Sequence, residues 1–398
     1  MYLLTNSLLA SIALNAVAAS KCPSLLSPKV VVVTFYDDEA TAYLSHQDEL
    51  DFNAVNITIP GASPEFPDLH CTSTGDVCLV TTGEGMTNAG NSIMALWNTA
   101  RLDLTQTYFL TTGIAGGNPE VVGTNSVIFA RFLVQPSMQY EIDAREIPEN
   151  FTTGYFPQGT YSPDDNWGYV YNTEVFSVNS DLRDLAAAMV NPAELVDTDD
   201  ARLYRERYAV APAYAASLRS PGVVRCDTAT SDNWFSGELL AGAVGERMRV
   251  WTNGSAVYCA TAQEDGAVVA ALLRAALAGK VDYNRIISMR SISDIDRPYP
   301  GQTVLQNLVY EDPGSYSSSI DNVYVAGSAI VRGILAQWDE QFKAGIPPTK
   351  YTGDLWGTLG GTPDFGPGRT TGGYPVDVPG ALGRRKRKRS ERRRGLDQ

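Results

Sequence analysis

Residues Lys29–Phe35 read KVVVVTF. Four consecutive valines with no polar alternation describe a strand covered on both faces, as in a parallel sheet flanked by helices. The chain beyond them continues in that style. Asp37–Leu44 has helix-compatible spacing, Val77–Thr82 is a second short apolar run, and the turn Gly83-Glu84-Gly85 leads into a helical stretch over Asn88–Ala100. Thr107–Thr112 predicts a third strand ending in the glycine-rich Gly113-Ile114-Ala115-Gly116-Gly117, and Val127–Val134 predicts a fourth. Strands alternating with helices predict a three-layer α/β/α fold around a mixed, largely parallel central sheet.

Residues 136–175 are rich in Pro, Tyr, Gly and Asn and read as an excursion from the sheet. Helices are predicted near 180–190, 236–248, 264–278 and 319–344, and strands near 222–226, 256–261 and 284–292. With no internal repeat, residues 29–350 read as a single domain with an insertion at about 136–175. From 353 to 398, Gly, Pro and Thr and then a basic run predict a disordered tail.

The net charge of −14 over 398 residues conceals two parts. Nine of the eleven residues Arg384–Arg394 are Lys or Arg, so 384–398 carry +7 and the remainder −21. A body that acidic argues against nucleic-acid binding, which needs a basic face. A hydrophobic share of 44% is ample for a packed core. The first twenty residues are uncharged, run apolar from Leu8 to Ala19, and offer Ala16 and Ala18 as a small-residue cleavage site. That predicts a signal peptide over 1–20 and a secreted or cell-surface protein. No other window is long and apolar enough to span a membrane.

Asn56, Asn150 and Asn253 head N-x-[ST] glycosylation acceptors. Of five cysteines, Cys71 and Cys78 have only six residues between them and are the best candidates for a disulfide. Cys226–Cys259 is a second candidate pair, and Cys22 is left over. With two histidines and no C-x-x-C, no zinc site is expected, and no cofactor is implied.

Ligands of open α/β sheets gather at the carboxyl ends of strands. Five such segments stand out here: Phe35–Glu39, Thr82–Met86, Thr112–Gly117, Thr230–Phe235 and Ser291–Asp296. Neither glycine segment has the spacing of a P-loop or a dinucleotide fingerprint. Gly85, Gly113, Ala115 and Gly116 are expected instead to let the backbone approach a small ligand.

Taken in order, VVTFYDDEA, TTGEGMTNAGNS, TTGIAGGNP, CATAQEDGAVVAAL and RSISDIDRP resemble the purine nucleoside phosphorylase and nucleosidase superfamily. More closely, residues from about 29 to 345 resemble the fungal purine nucleoside permeases. The resemblance implies that Asp294 faces the purine N7 as general acid, oriented by Ser293, and that Trp234, with Phe235, stacks on the base. It places Asp265 where the family has a glutamate gripping the ribose hydroxyls; the shorter side chain makes Glu264 the alternative.

Phosphorylases place arginines at two further positions, which here match Glu39 and Thr111 or Thr112. The hydrolytic branch has a glutamate at the first, so Glu39 is expected to activate water. The expected function is a secreted protein that binds purine nucleosides and hydrolyses their N-glycosidic bond. The alternatives are a nucleoside-binding component of uptake, acting with a membrane partner, or phosphorolysis. Many superfamily members complete the pocket across a homo-oligomer, for which His46, His70 or an aromatic of 140–171 would be the reaching groups.

Overall fold

The structure, a computed structural model, describes residues 25–165 and 167–367. The expected signal peptide, Cys22 and the basic run lie outside the described residues. In chain order the elements are β1 (Val30–Thr34), α1 (Asp37–Leu44), β2 (Val55–Thr58), β3 (Asp68–Cys71), β4 (Val77–Thr81), α2 (Gly85–Asn98) and β5 (Tyr108–Gly117). Then come β6 (Val127–Ala130), β7 (Phe132–Val134), β8 (Gln139–Glu141), β9 (Tyr155–Pro157), β10 (Val175–Ser177), α3 (Ser180–Met189) and α4 (Asp199–Glu206). The last third holds β11 (Val223–Arg225), β12 (Asp227–Thr230), α5 (Glu238–Trp251), β13 (Tyr258–Ala262), α6 (Asp265–Leu277), β14 (Ile286–Ile295), α7 (Tyr316–Ala336) and β15 (Gly353–Asp354).

β1 shows why the valine run decides the fold. Val31 and Val33 pack into the layer built by α2 and α6. Val30 and Val32 face the opposite layer of α1, α3 and α7. All four are fully buried, each burial contributing about 1.5–3 kcal/mol. β1 lies parallel between β4 and β5, and an antiparallel edge, β4–β3–β2, continues outward. The fold is therefore the expected layered α/β architecture around a large mixed sheet.

The other half of the sheet curls back on itself. β5 leaves β1 after Thr111 and follows β14 as far as Gly117. β14 pairs antiparallel with β6. β6 and β7 are separated at Arg131, where Asp227 accepts the backbone N–H groups of Arg131 (3.0 Å) and Phe132 (2.7 Å). That carboxylate replaces ladder bonds, and it breaks the single strand expected over Val127–Val134. β7 then joins β12, β12 joins β13, and β13 returns to β5 at Gly116–Gly117. The closed circuit gathers the strand-end segments around one mouth.

Two expectations are corrected. Gly113–Gly117 is not a turn after a strand: it is the second half of β5, paired with β14 throughout. Nor does packed structure end at 353. β15 pairs with β10, Asp364 meets Arg131 at 2.7 Å, and Phe365 is buried against Phe132. The composition of this stretch is loop-like, but one aromatic and one acid anchor it. The 136–175 excursion contains the separate β8–β9 hairpin. Disulfides join Cys71 to Cys78 and Cys226 to Cys259.

Candidate functional site

The mouth of the circuit opens into a cavity of about 460 Å³, within the range typical of small-molecule sites. Its walls include Glu39, Glu264, Arg290, Ser293, Asp294, Trp234 and Phe235.

Glu39 stands in the first turn of α1, a position that favours acids. Its side chain turns back to the sheet, where Oε2 accepts the N–H of Phe35 and Oε1 the N–H of Ile114, both at 2.8 Å. It is 1% exposed. Burial pushes its pKa up to about 8, helped by nearby Glu264 and opposed by Arg290 and the two amides. A side chain at Gly113 would collide with the Glu39 carboxyl and would sit 2.9 Å from an Arg290 nitrogen. Glycine here is a requirement of space.

Asp294 lies at an irregularity in β14, opposite Gly116. The shift turns its carboxyl into the cavity from within a strand; the sequence had suggested a loop past a strand's end. Ser293 Oγ donates to Asp294 Oδ2 at 2.9 Å, and the Ser293 carbonyl is held by Ser315 Oγ at 2.6 Å. A Cβ on Gly116 would lie 2.8 Å from Asp294 Oδ1. Burial raises the Asp294 pKa above the ordinary carboxylate range; Ser293 opposes this and Asp296 adds to it. The side chain therefore holds a proton more readily than a surface aspartate.

Glu264 and Asp265 divide the role given to them together. Glu264 lines the cavity, accepts the N–H of Gly85 (3.0 Å) and meets Arg290 at 2.9 Å. Asp265 is 0% exposed and does not line it. Its carboxylate holds Arg290 at 2.6 Å and 3.0 Å and takes the Ser288 hydroxyl at 2.9 Å. The expectation that Asp265 grips a ribose is thus corrected: it is the buried counter-ion of Arg290, and of the two acids only Glu264 is placed to meet a ligand.

Trp234 and Phe235 follow β12 at the rim, and Trp234 is 73% exposed, a large apolar face without a covering layer among the described residues. Ala115 and Gly116 line the cavity wall. Gly85 and Gly113 lie one layer back, where they position Glu264 and Glu39. Gly85 adopts φ +83°, the left-handed conformation that favours glycine. His46 and His70 are elsewhere: His46 stacks on Tyr324 and His70 bonds Asn56.

The residue that sequence reasoning passed over is Arg290. It is 2% exposed, lies over the Phe35 ring at 4.2 Å, and joins both halves of the site. Burial pulls its pKa down, but Asp265, Glu264 and Glu39 outweigh burial and hold the guanidinium above its ordinary range. A cue was present in the sequence: one arginine inside the apolar run IISMRSISDI must find buried partners.

Fold and site together define an α/β protein with an acid-lined small-molecule cleft at the open end of its sheet. The purine nucleoside permease model matches residues 27–347, and the chain belongs to that family. It is 39% identical over 349 residues to a purine nucleoside permease of Candida albicans, covering 86% of this chain and 84% of the relative. A probable purine nucleoside permease of Schizosaccharomyces pombe is 36% identical over 324 residues, covering 79% and 91%. Among solved structures, it is similar to 5′-methylthioadenosine/S-adenosylhomocysteine nucleosidase from Neisseria meningitidis (12% identity, 78% of this chain and 100% of that chain, TM-score 0.45). It is also similar to futalosine hydrolase of Helicobacter pylori (13% identity, 77% and 98%, TM-score 0.46).

Proposed function

We propose that the cleft binds a purine nucleoside and hydrolyses its N-glycosidic bond. One observation carries this reading: a buried carboxyl, Glu39, and a half-buried one, Asp294, both with raised pKa values, enter the same cavity, each set against a glycine of β5. Their glycines are three residues apart on β5, roughly 10 Å of extended chain.

In this reading the base lies on Trp234 and Phe235 with N7 toward Asp294, and Glu264 meets the sugar hydroxyls. A purine is a poor leaving group as an anion. Asp294, whose proton affinity burial raises and which Ser293 orients, gives its proton to N7 so that the base departs neutral. The C1′–N9 bond breaks, the sugar gains oxocarbenium character, and the surrounding carboxylates stabilise that charge. Ionised Glu39 takes a proton from water as its oxygen bonds to C1′. The products are free base and ribose, with Asp294 ionised and Glu39 protonated until solvent resets them.

Water is favoured over phosphate because the buried acid Glu39 occupies the place where an attacking anion would need cations. A second reading is supported by the names of the relatives, which are permeases. No helix among the described residues is long and apolar enough to cross a membrane, so in that role the chain would bind nucleoside and act with a membrane partner. Secretion belongs to the same proposal; the two disulfides and the exposed acceptors Asn56, Asn150 and Asn253 support it.

The test is release of free base from adenosine, guanosine and inosine in phosphate-free buffer. Release without phosphate is expected. Nucleoside binding with no release under any condition would leave the uptake reading, and strict phosphate dependence would overturn the role of Glu39.

A further inference from the structure

The bend that aims Asp294 into the cavity is held from outside the sheet. On β5, Ala115 pairs with Ile292 and Gly116 with Asp294, so Ser293 is one extra residue with no partner in that ladder. A bulge of this kind re-aims the side chains beside it. Slipping back by one residue would turn Asp294 to the opposite face of the strand, because side chains alternate. The bulge therefore needs bonds that the ladder does not supply.

Those bonds come from the start of α7. Ser315 Oγ donates to the Ser293 carbonyl at 2.6 Å, and Ser319 Oγ donates to the Ile292 carbonyl at 2.7 Å. Both serines are fully buried and neither lines the cavity. Ser315 stands just before the first turn of α7, where a serine ordinarily accepts an N–H of its own helix. It makes no such bond, and its hydroxyl is committed to β14, 22 residues back. A local rule broken in this way marks a side chain that serves another element. The helix start is itself fixed on two sides. Tyr316 donates to Asp38 Oδ2 at 2.7 Å, one residue from Glu39, and Asn125 Oδ1 accepts the Ser318 hydroxyl at 2.9 Å.

We propose that Ser315 is a positioning residue for the general acid: its hydroxyl locks the Ser293 bulge and so holds the Asp294 carboxyl toward the base, with Ser319 securing the residue before it. This rests on the hydrolytic reading above. The hydroxyl touches neither the nucleoside nor the transferred proton, so its loss should slow base release through Asp294 and leave nucleoside affinity nearly unchanged.

The experiment is a double-mutant cycle on the full chain, reading the single-turnover rate of base release from inosine with enzyme in excess, together with the Kd for inosine. Ser315→Ala should lower the rate about tenfold with the Kd within about threefold, whereas the same change made in Asp294→Asn should alter the rate by less than about twofold. A general structural loss would multiply through both backgrounds. Ser319→Ala leaves the Ile292 carbonyl bonded to the Asn125 N–H at 2.7 Å. It should lower the rate about threefold in the parent alone, and it carries the test if Ser315→Ala does not fold. Equal fold losses in the two backgrounds, an unchanged rate in Ser315→Ala, or a loss confined to Kd overturns the positioning role and leaves the hydrolytic reading intact. A parent that releases no base, or an Asp294→Asn protein as fast as the parent, overturns that reading and this proposal with it.

Discussion

Arg290 holds Asp265 at 2.6 Å and Glu264 at 2.9 Å, so one buried guanidinium sorts two adjacent acids into different roles. Asp265 closes the pair from beneath, and Glu264 stays at the cavity wall. Removing one partner of a buried pair leaves an uncompensated charge and costs about 3–5 kcal/mol. Asp265→Asn should therefore lower the urea midpoint substantially, whereas Glu264→Gln should act mainly by raising KM for nucleosides. Equal stability losses with no change in KM for Glu264→Gln would show that Glu264 serves only as a second counter-ion.

The glycines of β5 give a test of geometry. Gly116→Ala would place a methyl 2.8 Å from Asp294 Oδ1 and 2.7 Å from Thr261 Oγ1. Base release should fall tenfold or more as the acid is displaced. Gly242 in α5 has nothing within 4 Å of an added Cβ, and Gly242→Ala should raise stability by about 0.5–1 kcal/mol through helix propensity. Turnover of the two variants and their thermal midpoints separate a site effect from a general one.

Glu39 should make stability and activity respond to pH in opposite senses. Its pKa is raised from 4.5 to about 8 in the folded chain. Between those values the unfolded chain has released the proton and the folded chain keeps it, so this stabilising contribution is complete below about pH 4.5 and is lost as pH rises toward 8. The stability of Glu39→Gln relative to the parent should move in the variant's favour by about 4 kcal/mol from pH 5 to pH 8. Meanwhile kcat/KM of the parent should rise from pH 6 toward pH 8 as the base Glu39 ionises. Denaturation at both pH values and a kcat/KM profile check the two halves; a pH-independent stability difference would place the titration elsewhere.

Trp234 offers a ring that is 73% exposed at the rim of the cavity. Stacking of a base on an aromatic is worth about 1–3 kcal/mol and tolerates any purine. Trp234→Ala should raise KM for adenosine, guanosine and inosine by about tenfold in parallel, and Trp234→Phe by less. A change confined to one purine would mean the ring reads the base edge.

Much of this fold is legible in the sequence. The valine run over 30–33 announces a strand covered on both faces, and the order of five strand-end segments announces where they converge. The same signals hid the continuation of β5, because GIAGG has the composition of a turn and becomes a strand only when β14 pairs with it over its whole length. They hid the break at Arg131, which is imposed by Asp227, nearly a hundred residues away in sequence. Asp265 and Glu264 differ by one position, and nothing local says which one faces the cavity; the placement of Arg290 on β14, across β5, decides it. Long-range pairing of buried charge leaves little trace in sequence spacing.

The central claim, that Asp294 delivers the proton on which departure of the base depends, is tested most directly by comparing turnover and nucleoside affinity in Asp294→Asn. Asparagine keeps the shape and a hydrogen bond to N7 but has no acidic proton, so kcat for base release in phosphate-free buffer should fall at least 100-fold while the Kd for inosine stays within about threefold. Unchanged turnover in a folded Asp294→Asn protein would contradict the account.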